Sequence, residues 1–137
     1  MPEIQVLPKE ELSELLARVM KERPVIAPKE REDQPGFHYF GWLSKPEEFT
    51  AEYVTTTMPP KKAFFPPTQV LFTYELNHLP VLIDAAETTE FVLAGVHPCD
   101  LAAIEQLDIA YGYPPADRRW QNDRKRAVVI GIDCMPD

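Results

Sequence analysis

The stretch FVLAGVHPCDLAAIEQL, residues 91–107, decides how this chain folds. Its first six residues form a continuous apolar run, which is typical of a strand buried on both faces. Further along, apolar residues recur at helical spacing, at Leu101, Ile104 and Leu107. Asp100 is well placed to cap the start of that helix. The stretch therefore predicts a buried strand followed directly by a helix.

A second apolar run, residues 127–132, also resembles a strand buried on both faces. A strand, a helix and a second strand of these lengths predict a parallel, right-handed crossover unit. Residues 117–126, which precede the second run, carry dense mixed charge and are interpreted as a solvated surface segment.

The amino-terminal part has a different character. Apolar residues from Leu12 to Met20 follow helical spacing, and Pro24 ends that helix. Residues 25–27, closed by Pro28, and residues 37–40 predict a hairpin. Residues 70–74 and 81–83 predict another, with a turn at Asn77-His78. Between the hairpins, the proline-rich residues 58–67 are expected to form an ordered loop, because Phe64 and Phe65 gain free energy from burial.

These patterns predict a mixed α/β (α+β) fold in one domain, residues 1–137, with an antiparallel amino-terminal half and a parallel strand-helix-strand unit at the carboxyl-terminal end. The formal charge of −8, from 22 acidic and 14 basic side chains, disfavours nucleic acid as a partner. The apolar runs are far shorter than the ~20 residues that span a bilayer, so no membrane association is expected. The first residues lack the pattern of a secretion signal, and the expected compartment is the cytoplasm.

Both cysteines follow predicted parallel strands, where loops converge and ligands bind in open α/β sheets. Cys99 lies three residues past Val96, and Cys134 lies two residues past Ile132. If the strands are neighbours, the two thiols emerge at one edge of the sheet and are candidate metal ligands. On spacing alone, buried core cysteines are an equally good interpretation. Two thiols cannot complete a four-ligand site, so a cluster would need two further ligands.

Three segments carry a resemblance to a known family: residues 92–104 with the His-Pro-Cys-Asp element, residues 129–134 with the Asp-Cys element, and the proline-rich residues 59–67. Together they resemble the iron–sulfur beta-subunit family of cytoplasmic sulfhydrogenases, which includes the corresponding iron–sulfur subunit of anaerobic sulfite reductase. The family usually has an arginine where this chain has His97. The resemblance implies that residues 1–137 are the amino-terminal domain of a longer iron–sulfur subunit.

The resemblance also implies a function. Such subunits relay electrons from a flavin-containing subunit that oxidises NAD(P)H to a hydrogenase or a sulfite or sulfur reductase subunit, or in the reverse direction. Cys99, Cys134 and a later Cys-x-Cys pair would then ligate a [4Fe-4S] cluster in the full-length subunit. Because that set needs ligands beyond Asp137, no cofactor is expected in residues 1–137 alone. The domain would be non-catalytic by itself and part of an oxidoreductase complex.

Two other functions remain open at this stage. Cys99 could be the nucleophile of a cysteine-dependent enzyme, with His97 or Asp100 nearby, although no third orienting group is evident. Alternatively, the domain could be a non-catalytic protein-interaction module, in which both thiols can be replaced without consequence. The histidines at positions 38, 78 and 97 are interpreted as surface or hydrogen-bonded groups, and no catalytic residue is assigned.

Overall fold

The computed structural model describes residues 8–74, 83–84 and 89–133. Three α-helices are present in these ranges, namely α1 (Leu12–Glu22), α2 (Pro98–Gly112) and α3 (Arg118–Lys125). Six strands accompany them: β1 (Val25–Arg31), β2 (Gln34–Trp42), β3 (Phe72–Thr73), β4 (Ile83–Asp84), β5 (Phe91–Val96) and β6 (Ala127–Gly131). None of the helices in the described ranges is long and apolar enough to cross a membrane.

Four strands form one mixed sheet in the order β2-β1-β5-β6. The pair β1–β2 is antiparallel, whereas β1–β5 and β5–β6 are parallel. The short strands β3 and β4 form a separate antiparallel pair. This arrangement confirms the predicted mixed α/β fold, with an antiparallel amino-terminal half and a parallel strand-helix-strand unit after it. The turn predicted at Asn77-His78 lies outside the described residues.

Two apolar layers cover the sheet. Side chains of α1 pack on one face against β1 and β5, where Val25, Ala27, Val92 and Ala94 are buried. The opposite face packs against α2, α3 and the proline-rich loop. Strand β5 is buried along its whole length, as predicted, because it has neighbouring strands on both sides and packed layers on both faces.

The strand expected to close at Pro28 runs on to Arg31, so that boundary was wrong. Pro28 pairs with Phe40 in the β1–β2 register. Farther along the same pair, the N–H of Leu43 donates across to the carbonyl oxygen of Val25. Because hydrogen-bonded and non-hydrogen-bonded pairs alternate along an antiparallel ladder, the backbone of Pro28 faces away from β2, and its carbonyl oxygen accepts from the N–H of Thr50 on that side. The missing N–H of Pro28 therefore costs the ladder no hydrogen bond.

The proline-rich loop is ordered and includes a 3-10 turn at Pro60–Ala63. Phe64 is buried in the core against Phe91 and Trp120, whereas Phe65 is exposed and stacks at the surface on Tyr111. The expected burial is confirmed for Phe64 and was wrong for Phe65, whose ring contacts the domain only at the surface.

Two predictions in the carboxyl-terminal third were wrong. The mixed-charge segment is not simply solvated, since it contains α3, in which Asp117 caps the amino terminus and Trp120 and Asp123 are buried. Strand β6 is not buried on both faces, because it lies at the edge of the sheet and Val128 and Ile130 are exposed. A continuous apolar run could not distinguish an edge strand from a central one.

Candidate metal centre

The candidate site lies at the carboxyl ends of β5 and β6. These strands are parallel neighbours, and the N–H of Ile132 donates to the carbonyl oxygen of Val96 over 2.9 Å. At Gly131 a Cβ atom would lie 2.8 Å from Cδ1 of Leu101, so the end of β6 packs tightly against the first turn of α2. The chain therefore leaves both strands at the same edge of the sheet.

Cys99 is the second residue of α2, and its side chain is exposed. The helix begins at Pro98 with His97 as its N-cap, two residues before the start expected at Asp100. Proline favours this first helical position because its fixed φ suits the helix and its missing N–H needs no partner there. Asp100 lies in the first turn instead of capping it. Cys99 is thus at the positive end of the helix dipole.

Cys134, the second predicted ligand, lies outside the described residues. Within residues 8–74, 83–84 and 89–133, no three histidine, cysteine, aspartate or glutamate side chains are grouped so that they could hold a metal ion. The assignment of Cys99 and Cys134 as ligands remains a prediction.

An aromatic stack that no sequence pattern indicated lies beside this edge. His97 is only 8% exposed, and its imidazole ring stacks on the phenol ring of Tyr53, with centroids 4.1 Å apart and planes 6° apart. The interpretation of His97 as a surface or hydrogen-bonded group was therefore wrong: it is a buried side chain held by ring stacking. His38 lies farther out, 6.3 Å from Tyr53 between ring centroids.

Tyr53 also holds the strand that precedes Cys99. Its hydroxyl donates to the carbonyl oxygen of Gly95 over 2.7 Å. Gly95 has a φ of +76°, and the β5–β6 register shifts there. A Cβ atom at this position would lie 2.8 Å from Cδ of Pro28 and 2.9 Å from Cε2 of Phe49. The register shift is a bulge in β5, and a glycine inside a strand pattern was the one feature of the sequence that indicated it.

The geometry gives little support to a nucleophilic role for Cys99. Across the part of the chain that the structure describes, Cys99 has no hydrogen bond to His97 or Asp100. His97 instead packs one face of its ring on Tyr53. A base acting on a thiol has to reach it by hydrogen bonding, and that contact is not made here.

A comparison with curated proteins identifies a relative, sulfhydrogenase 2 subunit beta of Pyrococcus furiosus. It is 37% identical to this chain over 91 residues, which are 66% of the chain and 26% of the relative. The chain thus spans about a quarter of the length of that relative. No protein-family profile matches the chain. No solved structure matches it significantly.

Proposed function

From the premise that this chain belongs to the family of sulfhydrogenase beta subunits, as its cysteine motifs indicated, we propose that it is the amino-terminal domain of an iron–sulfur electron-transfer subunit. The full-length protein relays electrons between two partners, a flavin-containing subunit that oxidises NAD(P)H and a hydrogenase or a sulfite or sulfur reductase subunit. The domain is non-catalytic by itself and works inside this cytoplasmic complex.

One observation carries the proposal: the hydrogen bond from Ile132 to Val96 joins the two strand ends that lead to the cysteines. Cys99 follows Val96 by three residues, and Cys134 follows Ile132 by two. Two residues of extended chain reach at most about 7 Å, and three reach at most about 11 Å. The proposal therefore expects both thiols within a short reach of the same point of the sheet.

The donor set fits a cluster of iron and sulfide. Thiolates are the ligands that such clusters use, and the amino terminus of α2 favours negative charge on Cys99. The exposed position of Cys99 leaves its sulfur accessible to iron. Cys99 and Cys134 supply two ligands, and the remaining two come from beyond Asp137. When bound, the [4Fe-4S] cluster supplies one-electron transfer.

The roles of the other residues follow from their contacts. Tyr53 and Gly95 fix the path of the chain into α2, and Gly131 allows the close approach of β6 to Leu101. These residues position the segments that carry the two thiols. Because Cys99 is exposed among the described residues, a cluster held by this thiol would be near the surface of this domain, where it could supply electron transfer to another subunit.

The test is the iron and acid-labile sulfide content of the full-length protein, purified without oxygen. We expect Cys99→Ser to lower the content by about four iron atoms per subunit, one [4Fe-4S] cluster. Asp100→Asn, one residue further along the same helical turn, is the matched control and should retain all the iron. If Cys99→Ser bound as much iron as the native protein, the assignment of Cys99 as a ligand would be wrong.

A further inference from the structure

A groove far from the cysteine site runs along the outer edge of β2. Its volume is about 730 Å³. The lining comes from β2, from the proline-rich loop, from α3 and from Arg126, which follows α3. We call it the β2 groove and define it by six of its lining residues: Phe40, Trp42, Met58, Lys62, Val70 and Arg126. Its size is in the usual range of binding sites.

Strand β2 is an edge strand whose outer side is only partly paired. The N–H of Thr57 donates to His38, and the N–H of Phe40 donates to the carbonyl oxygen of Met58 over 3.1 Å. Pairing ends there, because Pro59 and Pro60 lead the chain into the 3-10 turn. The rest of the outer edge, up to Trp42, borders the groove.

The backbone of Trp42 faces away from β1, since the N–H of the next residue, Leu43, donates inward to Val25. Among the described residues, neither the N–H of Trp42 nor the carbonyl oxygen of Phe40 has a hydrogen-bond partner. An edge with a free donor and a free acceptor is a template for an added strand.

The lining is cationic in an acidic protein. Three cationic side chains, Lys29, Lys62 and Arg126, contribute to it, against one carboxylate, Asp123, although the formal charge of the chain is −8. Lys29 and Arg126 pair with carboxylates. Lys62 forms no ion pair within the described part of the chain. The groove therefore attracts negative charge, unlike the protein as a whole.

Apolar surface lies beside these charges. Trp42 is 55% exposed, and Met58 is 41% exposed, although both are large side chains. Tryptophan and methionine are enriched in the buried centres of protein interfaces. We propose that the β2 groove binds an extended acidic segment of a partner protein, which adds to the edge of β2 as a further strand. Its apolar side chains pack on Trp42 and Met58, and its carboxylates approach Lys62.

The combination favours a peptide over a small metabolite. A strand added beside β2 satisfies the free N–H and carbonyl groups, and alternate side chains of that strand face the same side. The inference goes beyond the electron-relay proposal and does not depend on the cluster, since no residue of the β2 groove lies at the cysteine site.

The first experiment uses the full-length protein and synthetic peptides of about seven residues. In each peptide, aspartate alternates with valine around a central phenylalanine, because side chains of a strand alternate between its two faces. Titration calorimetry and the emission of Trp42 report binding, with Trp42→Phe identifying the signal of that residue. We expect the acidic peptide to bind at least about tenfold more tightly than a counterpart with lysine in place of aspartate. An acidic peptide methylated on alternate backbone nitrogens should bind at least about tenfold more weakly.

The second experiment uses matched variants. Lys62→Glu should weaken binding of the acidic peptide about tenfold, whereas Lys61→Glu, its exposed neighbour outside the groove, should weaken it by less than about twofold. Trp42→Pro removes the outward N–H, and Trp42→Ala does not, so the proline variant should bind more weakly than the alanine variant.

Several results would overturn the inference. They are equal affinity for the acidic and lysine peptides, no binding up to about 1 mM, or equal weakening by Lys61→Glu and Lys62→Glu. The iron content of the same variants keeps the two proposals apart. Native iron content with no peptide binding overturns this inference alone, whereas loss of iron through Cys99→Ser bears only on the cluster.

Discussion

The phenol ring of Tyr53 and the imidazole ring of His97 lie parallel, with 4.1 Å between their centroids, and the Tyr53 hydroxyl reaches past the stack to the carbonyl of Gly95. Two contacts from one side chain thus fix the residues immediately before Pro98 and Cys99. The stability of this part of the sheet and the position of the Cys99 thiol depend on the same tyrosine.

Removing the Tyr53 hydroxyl should destabilise the domain. Tyr53→Phe keeps the ring stack but leaves the buried carbonyl of Gly95 without this donor, which costs about 1–2 kcal/mol of unfolding free energy. Urea unfolding followed by circular dichroism measures the change. Tyr113→Phe is the control, because that side chain is exposed, and its effect should stay below about 0.5 kcal/mol. Equal stability of the two variants would contradict the role of the hydrogen bond.

Gly95 should tolerate no side chain. Its φ of +76° disfavours any other residue by about 1–2 kcal/mol, and an added Cβ would press on Pro28 and Phe49. Gly95→Ala should therefore lose at least about 2 kcal/mol of stability. Gly112→Ala provides the comparison, since nothing lies within 4 Å of the added atom. Thermal unfolding should place Gly112→Ala at or slightly above the native melting temperature.

The adjacent phenylalanines of the proline-rich loop should differ sharply. Phe64 is 2% exposed and Phe65 is 57% exposed. Phe64→Ala opens a cavity in the core and should cost about 3–5 kcal/mol. Phe65→Ala loses a surface stack on Tyr111 and should cost no more than about 1 kcal/mol. Denaturant unfolding measures both, and similar losses would contradict the packing of this loop.

Glu48 should make folding sensitive to acid. The backbone N–H of Ser44 and the ammonium group of Lys29 lower the pKa of Glu48 below its ordinary value of 4.5. The stabilisation is thus complete above pH 4.5 and is lost as the pH falls through the lower folded-state pKa. Glu48→Gln should lower the unfolding free energy by about 1 kcal/mol at neutral pH. Below pH 4.5, the unfolding free energy of this variant should fall less than that of the native protein.

The matched control for Glu48 is Glu47→Gln, an exposed carboxylate in the same 3-10 turn. Unfolding free energies measured from neutral pH downward should follow the native curve for this variant. A native pH profile in Glu48→Gln would show that the Ser44 and Lys29 contacts do not contribute to folding.

Cys99→Ser should separate function from stability. The thiol is exposed in the first turn of α2, so its replacement opens no core cavity and should change the unfolding free energy of the iron-free protein by less than about 0.5 kcal/mol. Reduction of an artificial acceptor by the assembled complex should be lost, and Cys134→Ser should have the same effect on relay. Unchanged relay with a lowered melting temperature would identify Cys99 as a structural residue.

The parts of the fold with a clear period were predictable. Strand β5, helix α2 and their parallel partner β6 follow from apolar runs and helical spacing, and they define the edge where Cys99 lies. The charge of residues 117–126 concealed α3, because burial there depends on contacts between helices. Asp108 of α2 accepts from Trp120 and Arg124 of α3 at 2.8 Å each, and no local pattern predicts those contacts.

The contacts of Tyr53 beside the site could not be predicted from the sequence either. Tyr53 and Gly95 are 42 positions apart, and only the β1–β5 pairing and the path of the loop after β2 bring them together. Gly95 lies in the same motif as Cys99, but Tyr53 belongs to no motif with it. In the sequence, the glycine inside the apolar run of β5 was the sole hint of the bend before the cysteine, and the structure gives this Gly95 a φ of +76°.

The unequal cover of the two parallel strands sets how their amide hydrogens exchange with solvent. Strand β5 has partners on both sides and is buried throughout, whereas β6 leaves Val128 and Ile130 in contact with water on one face. We therefore expect the amides of β5 to exchange more slowly than those of β6, which smaller openings of the sheet should expose. The two segments that lead to the cysteines should thus differ in local stability, with the more stable one on the side of Cys99.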